Sequence, residues 1–371
     1  MSNTLKAITM PKWGLAMKEG AILQWLKNDG DEVKKAEILV EIETDKVVNE
    51  MESPEDGKLL KKCIDTDVRV PVGSLIAVYG SGTESDEEIA EFVSEFNKNF
   101  VVEDDEDSND SNNFEKIEID NFEINFSKIS AEKDKNILFI HGFGGDLNNW
   151  MFNQEDLSND FNTYAIDLPG HGKSSKNVED GSLNSMANLV NNFCKKNNLN
   201  KIILVGHSYG AGICIQTAYN FKDLVDSIIL ISPIGLGEEI DSSYLENFIK
   251  SESRKELKPV LEKLYFNKDV ITRDMVNEVL NFKRIDGVEV SLQNMKKEIV
   301  DNEKQKNNLK DQLNSLNIPT NIIWGKNDSI IPSKHLENLN ENIKVNVFDD
   351  CGHMAHTEES SKVNEIIKNI K

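Results

Sequence analysis

Ser208 stands in LVGHSYGAG and Lys46 in EIETDKVVNE. A serine hydroxyl is a poor nucleophile until something fixes it and removes its proton. Around Ser208 the pattern supplies the fixing. Ile202 to Val205 reads as a strand, and the Gly-x-Ser-x-Gly turn that follows opens a helix. Gly206, Gly210, Ala211 and Gly212 are the small neighbours that so sharp a turn requires. The helix N-terminus favours negative charge developing beside it. Lys46 offers other chemistry. Apolar and charged residues alternate from Leu39 to Glu43, and Thr44-Asp45 turn the chain. The lysine is therefore predicted at a hairpin tip, where a swinging group can be attached. A residue that takes acyl groups and one that displays an arm point together to acyl transfer from a protein-bound carrier.

A nucleophilic serine needs a base, and the base needs an acid. Asp328 in WGKNDSIIP and His353 in DDCGHMAH follow Ser208 in that order, each just beyond a predicted strand. His353 is expected to accept the serine proton, and Asp328 to fix the imidazole tautomer and stabilise its cation. Asp349 and Asp350 are rival acids, but closeness in sequence does not put them on the outer nitrogen of His353. His356 is a rival base, and the Gly-His step at a strand end favours His353. HGFGG, His141 to Gly145, also follows a strand, and its glycines expose backbone N–H groups. The amides of Phe143 and Tyr209 are expected to form an oxyanion hole. DLPGHGKS, Asp167 to Ser174, is a further turn after the next strand. One such motif is weak; four in order, each after a strand, are strong. His141 and His207 read as loop-shaping residues and Trp150 as packing.

These motifs need elements to carry them, and the chain reads as three parts. Residues 1–80 are short alternating runs punctuated by Gly, Pro and Asp, a small all-β domain. A weak internal repeat relates Gly30-Asp31-Glu32-Val33 and its following strand to the stretch Asp67 to Gly73 and Ser74 to Val78. Residues 81–113 read as an acidic linker: Glu84 to Asp110 holds twelve acidic residues and one lysine. Within it Ile89, Phe92, Val93, Phe96 and Phe100 fall at helical spacing, predicting a short amphipathic helix that docks or frays. A coil of that length has a root-mean-square span of roughly 30 Å. From residue 114 to 371 strands and helices alternate, the pattern of a mainly parallel sheet covered on both faces. Residues 236–316 interrupt it with charged, helical sequence.

Composition narrows the function. With 371 residues and 38% hydrophobic content the chain can build more than one core. A net charge of −23 argues against nucleic acid or an anionic membrane as partner. Cys63, Cys194, Cys214 and Cys351 are scattered, with neither the spacing of a metal site nor a disulfide framework, so they read as reduced thiols and no metal is expected. No stretch approaches the roughly 20 apolar residues of a membrane span, and a cytoplasmic protein is expected.

Residues 1–80 resemble a lipoyl domain of the 2-oxo acid dehydrogenase type. Met10-Pro11, Trp13-Gly14, Gly20, Gly30-Asp31, Glu43-Thr44-Asp45-Lys46 and Gly57 carry the match. Biotinyl domains share that fold but place Met-Lys-Met at the tip, whereas Asp45 and Val47 flank the lysine here. The resemblance implies lipoate attached covalently to Lys46. The ordered motifs of residues 114–371 resemble an α/β-hydrolase domain, in which 236–316 would be a helical lid. The expected fold class is thus multidomain, a biotinyl/lipoyl-like domain followed by an α/β-hydrolase domain.

Such a fusion is similar to the acetyltransferase subunits of bacterial acetoin dehydrogenase complexes. That resemblance implies thiamine-diphosphate-dependent acetoin-cleaving subunits and a dihydrolipoamide dehydrogenase as partners. It also implies a lipoate-attaching enzyme, a homo-oligomeric assembly, and coenzyme A as acceptor. The usual acetyltransferase motif of these complexes, His-x-x-x-Asp-Gly, is headed by none of the six histidines. Ping-pong transfer through acyl-Ser208 is the expected alternative. Two other classes stand beside it: a lipoyl-tethered esterase or thioesterase, and a non-catalytic carrier whose second domain serves assembly.

Overall fold

In the computed structural model, which describes residues 5–11, 19–35, 37–43, 48–53, 56–66, 68–100, 114–130 and 133–370, the chain divides into two units, Met1–Asp110 and Ser111–Lys371. The first is built from the short alternating runs. Its strands are β1 (Lys6–Thr9), β2 (Glu19–Trp25), β3 (Glu32–Val33), β4 (Ile38–Glu43), β5 (Val48–Glu52), β6 (Gly57–Lys62), β7 (Arg69–Pro71) and β8 (Leu75–Gly80). They form two four-stranded sheets, ordered β1-β8-β6-β3 and β5-β4-β2-β7. The internal repeat explains this arrangement. β3 is an edge strand of one sheet and leads into β4, an inner strand of the other; β7 and β8 repeat the step with the sheets exchanged. Ile8, Met10, Ile22, Leu39, Ile42 and Ile76 share one buried core. Gly57 has a packing reason: a Cβ there would lie 2.3 Å from the Tyr79 hydroxyl. β4 and β5 pair antiparallel up to Glu43 opposite Val48. Lys46 lies in the connection between them and outside the described residues.

A helix, α1 (Asp86–Asn99), completes this unit. Ser85 and Glu88 form a reciprocal capping box, and Asp86, Glu87 and Glu88 place negative charge on its first turn. Ile89, Phe92, Val93 and Phe96 pack on Leu5, Leu60, Leu75 and Val78. The amphipathic helix therefore docks on the β1-β8-β6-β3 sheet. Residues 81–100 of the expected linker belong to the first unit, because the apolar outer face of β8 needs a cover. Residues 101–113 lie outside the described residues.

The second unit opens with an antiparallel hairpin, β9 (Phe114–Ile119) and β10 (Phe122–Ile129). Then follow β11 (Asn136–Ile140), α2 (Met151–Leu157), β12 (Asn162–Ile166), α3 (Leu183–Lys196), β13 (Ile202–His207), α4 (Tyr209–Asn220) and β14 (Val225–Ile231). Residues 236–316, the segment expected to form a lid, contain α5 (Ser242–Lys250), α6 (Arg254–Leu261), α7 (Arg273–Lys283) and α8 (Val288–Ile299). A two-residue-per-strand hairpin, β15 (Val300–Asp301) and β16 (Lys304–Gln305), and α9 (Lys310–Asn314) lead back to the sheet. The chain ends with β17 (Thr320–Gly325), β18 (Ile343–Phe348), α10 (Ala355–Glu358) and α11 (Ser360–Lys368).

Eight strands form one sheet in the order β18-β17-β14-β13-β11-β12-β10-β9. β9, β10 and β12 pair antiparallel, and the other neighbours are parallel. Parallel strands covered on both faces read as nearly continuous apolar runs, and period-two alternation decides which face each residue joins. Leu138, Leu204, Leu230 and Ile322 join the core beneath α3, α4 and the lid. Ile137, Val205, Ile229 and Ile323 join the smaller core with α2 and α11. The four cysteines are free, and three of them are buried.

Candidate active site

β13 delivers Ser208 to the C-terminal end of the sheet. The serine has φ 53° and ψ −112°, a strained conformation for a side chain other than glycine. The surroundings hold it there. Its N–H donates to Ile231 O at 2.8 Å, and its carbonyl accepts from the N–H groups of Ala211 and Gly212. Gly210 permits the close approach of α4 to β11, since a Cβ would lie 2.2 Å from Ile140 O.

The loops after β17 and β18 bring the predicted partners together. His353 Nδ1 donates to Asp328 Oδ2 at 2.7 Å, and both side chains are almost fully buried. A proton on Nδ1 leaves Nε2 as the acceptor of that ring. Asp328 is held from both sides: its Oδ1 accepts from the N–H groups of Ile330 and Ile331, at 2.8 and 2.9 Å. The rivals are placed elsewhere. Asp349 pairs with Lys326 at the surface, and Asp350 is exposed. His356 is buried with its ring 4.4 Å from that of Trp150.

Ser208 and His353 both line a cavity of about 110 Å³. Phe143 and its neighbouring glycines border it on the core side, while Ile240, Phe248, Leu264 and Met275 close it from the lid. Tyr209 opens α4, and its hydroxyl donates to Gly181 O at 2.5 Å. That commitment leaves the backbone amide as the group Tyr209 can offer the cavity.

Likeness to known proteins follows the same division. Residues 135–360 match the family described as alpha/beta hydrolase fold, and residues 6–79 match the one described as biotin-requiring enzyme. The dihydrolipoyllysine-residue acetyltransferase component of the acetoin cleaving system of Cupriavidus necator is 34% identical over 368 residues, 99% of this chain and 98% of the relative. The component of the same name from Pseudomonas putida is 35% identical over 363 residues, 98% of this chain and 97% of the relative. The chain belongs to that acetyltransferase family. Among solved structures, the meta-cleavage product hydrolase of Pseudomonas fluorescens shares the fold of the second unit. Its TM-score is 0.62 at 20% identity, over 68% of this chain and 95% of the hydrolase.

In the acetyltransferase two residues not singled out by the sequence position the site. Trp324 Nε1 donates to Asp328 Oδ2 at 3.0 Å and also meets Ile331 O at 3.0 Å. It thereby ties the acid to the loop that holds it. His171 Nε2 accepts from Gly144 N at 3.0 Å, anchoring the loop that carries Phe143. The family-typical turn DLPGHGKS was the signal for His171; Trp324 had none beyond its place just before the Asp328 loop. His141 joins the same two loops, because its Nε2 accepts from Leu168 N at 3.0 Å and its Nδ1 donates to Gly142 O. His207 donates from Nε2 to the His353 carbonyl at 3.0 Å. Its ring centroid lies 4.6 Å from those of His353 and His356.

Burial governs the charge of these imidazoles. It holds His171 and His207 well below the ordinary histidine range, with neighbouring histidines adding to the effect. Burial first, and His353 second, push His356 down to about 3. Burial also lowers His141. Around His353 the other rings are therefore neutral structural members. Among the described residues no helix is long and apolar enough to cross a membrane.

Proposed function

We propose that the protein moves an acetyl group from lipoyl-Lys46 to coenzyme A through an acetyl-Ser208 intermediate. The observation that carries this reading is the His353–Asp328 hydrogen bond beside the elbow serine, which fixes the tautomer a general base requires. Lys46 falls in the sequence between β4 and β5, which pair antiparallel. The dithiol of lipoate there supplies the thioester on which the acetyl group arrives. Ser208 Oγ attacks the thioester carbonyl as His353 Nε2 takes its proton. The amides of Phe143 and Tyr209 receive the oxyanion. When the C–S bond breaks, His353 returns the proton to the departing sulfur. His353 then takes the proton of the coenzyme A thiol, whose sulfur attacks the ester carbonyl, and Ser208 leaves with that proton. The apolar, lid-covered cavity supports this route, because water arriving at acetyl-Ser208 would release acetate.

The same reading assigns thiamine-diphosphate-dependent subunits that cleave acetoin, a dihydrolipoamide dehydrogenase and a lipoate-attaching enzyme as partners. It also assigns a homo-oligomeric state and a cytoplasmic location. Incubating the purified protein with S-acetyl-dihydrolipoamide, with and without coenzyme A, tests the function. Acetyl-coenzyme A is the expected product. Free acetate alone would make the protein a thioesterase, and no turnover would make it a carrier with a structural second unit.

A further inference from the structure

Glu358 ends α10, five residues after His353, and its carboxylate joins two separate parts of the second unit. Oε1 accepts from Gly352 N at 2.8 Å, in the loop that presents His353. Oε2 accepts from Phe266 N at 2.7 Å, in the lid segment between α6 and α7. The main chains meet beside it: His353 N and Met354 N both donate to Leu264 O, at 2.8 and 3.3 Å. Contact is close enough that a Cβ on Gly352 would lie 2.8 Å from Leu264 O and Phe266 N. Four backbone donors thus lock 264–266 onto 352–354, two of them to one carboxylate. Hydrogen bonds to a charged acceptor are the stronger kind. Both segments face the cavity, through Leu264 and Tyr265 on the lid and through His353 and Met354 on the loop.

We propose that Glu358 is a positioning residue that clamps the lid to the His353 loop, so that placement of the base and closure of the cavity to water are set together. The inference rests on the transfer reading above for its consequence, since an acyl-serine route needs a dry cavity when the base is in place. The lid cannot lift at 264–266 without pulling on the main chain of His353. Glu358→Gln keeps the shape of the clamp but turns an amide NH₂ towards one of the two N–H donors it must accept from. Phe266→Pro removes the lid-side donor instead. The Phe266 side chain is exposed, and Tyr265 before it has φ −117° and ψ 146°, a conformation the residue preceding proline accepts.

The test follows acetate and acetyl-coenzyme A from S-acetyl-dihydrolipoamide, together with amide hydrogen exchange, in the full-length protein and both variants. The expected result is a share of acetate raised about tenfold or more, the factor lost with a charge-assisted hydrogen bond. Exchange should rise together in 264–266 and 352–354, read at 264–265 in Phe266→Pro, whose proline has no amide hydrogen. An unchanged acetate share, or exchange that rises in only one of the two segments, would overturn the clamp. Should Glu358→Gln not fold, Phe266→Pro carries the same test. The exchange measurement needs no turnover, so it judges the clamp even where the unmodified protein makes no acetyl-coenzyme A. That last result would remove the transfer reading instead.

Discussion

At Asp328 three backbone or indole donors and the His353 imidazole converge on one carboxylate. Losing the Trp324 donor should loosen the acid without removing it. Trp324→Phe is expected to lower kcat for acetyl transfer about tenfold, the worth of one hydrogen bond to a charged group, with KM little changed in steady-state kinetics. Ser208→Ala should cost several orders of magnitude in transfer while the fold is kept, as expected for a lost nucleophile. If coenzyme A instead attacked the thioester directly, Ser208→Ala would retain substantial transfer and His353→Ala would not. The order Ser208, Asp328, His353 was legible in the sequence because each follows a strand, and strands announce themselves by apolar runs. Trp324 was not. Its role depends on residues 328–331 folding back beneath the indole, a tertiary fact without a local pattern.

Elements were read well where their period was strong and less well where a neighbour decided their fate. In α3 Met186, Leu189, Val190 and Phe193 recur at helical spacing, and all four side chains are buried. The alternation through β11 to β14 predicted the sheet. α1 is the instructive case. Its apolar stripe predicted a helix, but nothing local said whether that stripe would find a surface. The surface is made by Leu5, Leu60, Leu75 and Val78, residues whose outward orientation follows only once the sheets are formed. The short β15–β16 hairpin, two residues per strand, falls below what alternation can announce. If α1 is an integral part of the first unit, Ile89→Ala should destabilise it by about 2 kcal/mol, the low end for a buried isoleucine. Thermal unfolding followed by a probe in that unit would measure this, and an unchanged midpoint would show that the helix adds nothing.

For the whole molecule, the two units should answer differently to acid. All six histidines lie in the second unit. Burial depresses His141, His171, His207 and His356, so the unfolded chain gains protons near pH 6.5 that the native state refuses. The stability they contribute is complete above that pH and is lost as pH falls towards their lower folded values. Each costs about 1.4 kcal/mol per pH unit within its window. Asp146 works against them below pH 6, since burial raises its carboxyl to about 6 and the native state takes up that proton first. Calorimetry between pH 7 and 5 should show the second unit's midpoint falling while the first unit's stays, and His356→Phe should flatten the fall. The first unit has its own test. Intact mass after expression in a lipoylating host should show one lipoyl adduct, absent from Lys46→Ala.

The sheet order carries a consequence for how the protein is made. The first unit is complete, helix included, once residue 100 has left the ribosome. The second cannot finish early. Its sheet lacks an edge until β18 is synthesised, and His353 follows only after that strand. A nascent chain therefore holds a folded first unit long before Ser208 can meet His353. Birth order keeps Ser208 and His353 apart until β18 and the loop after it have been made.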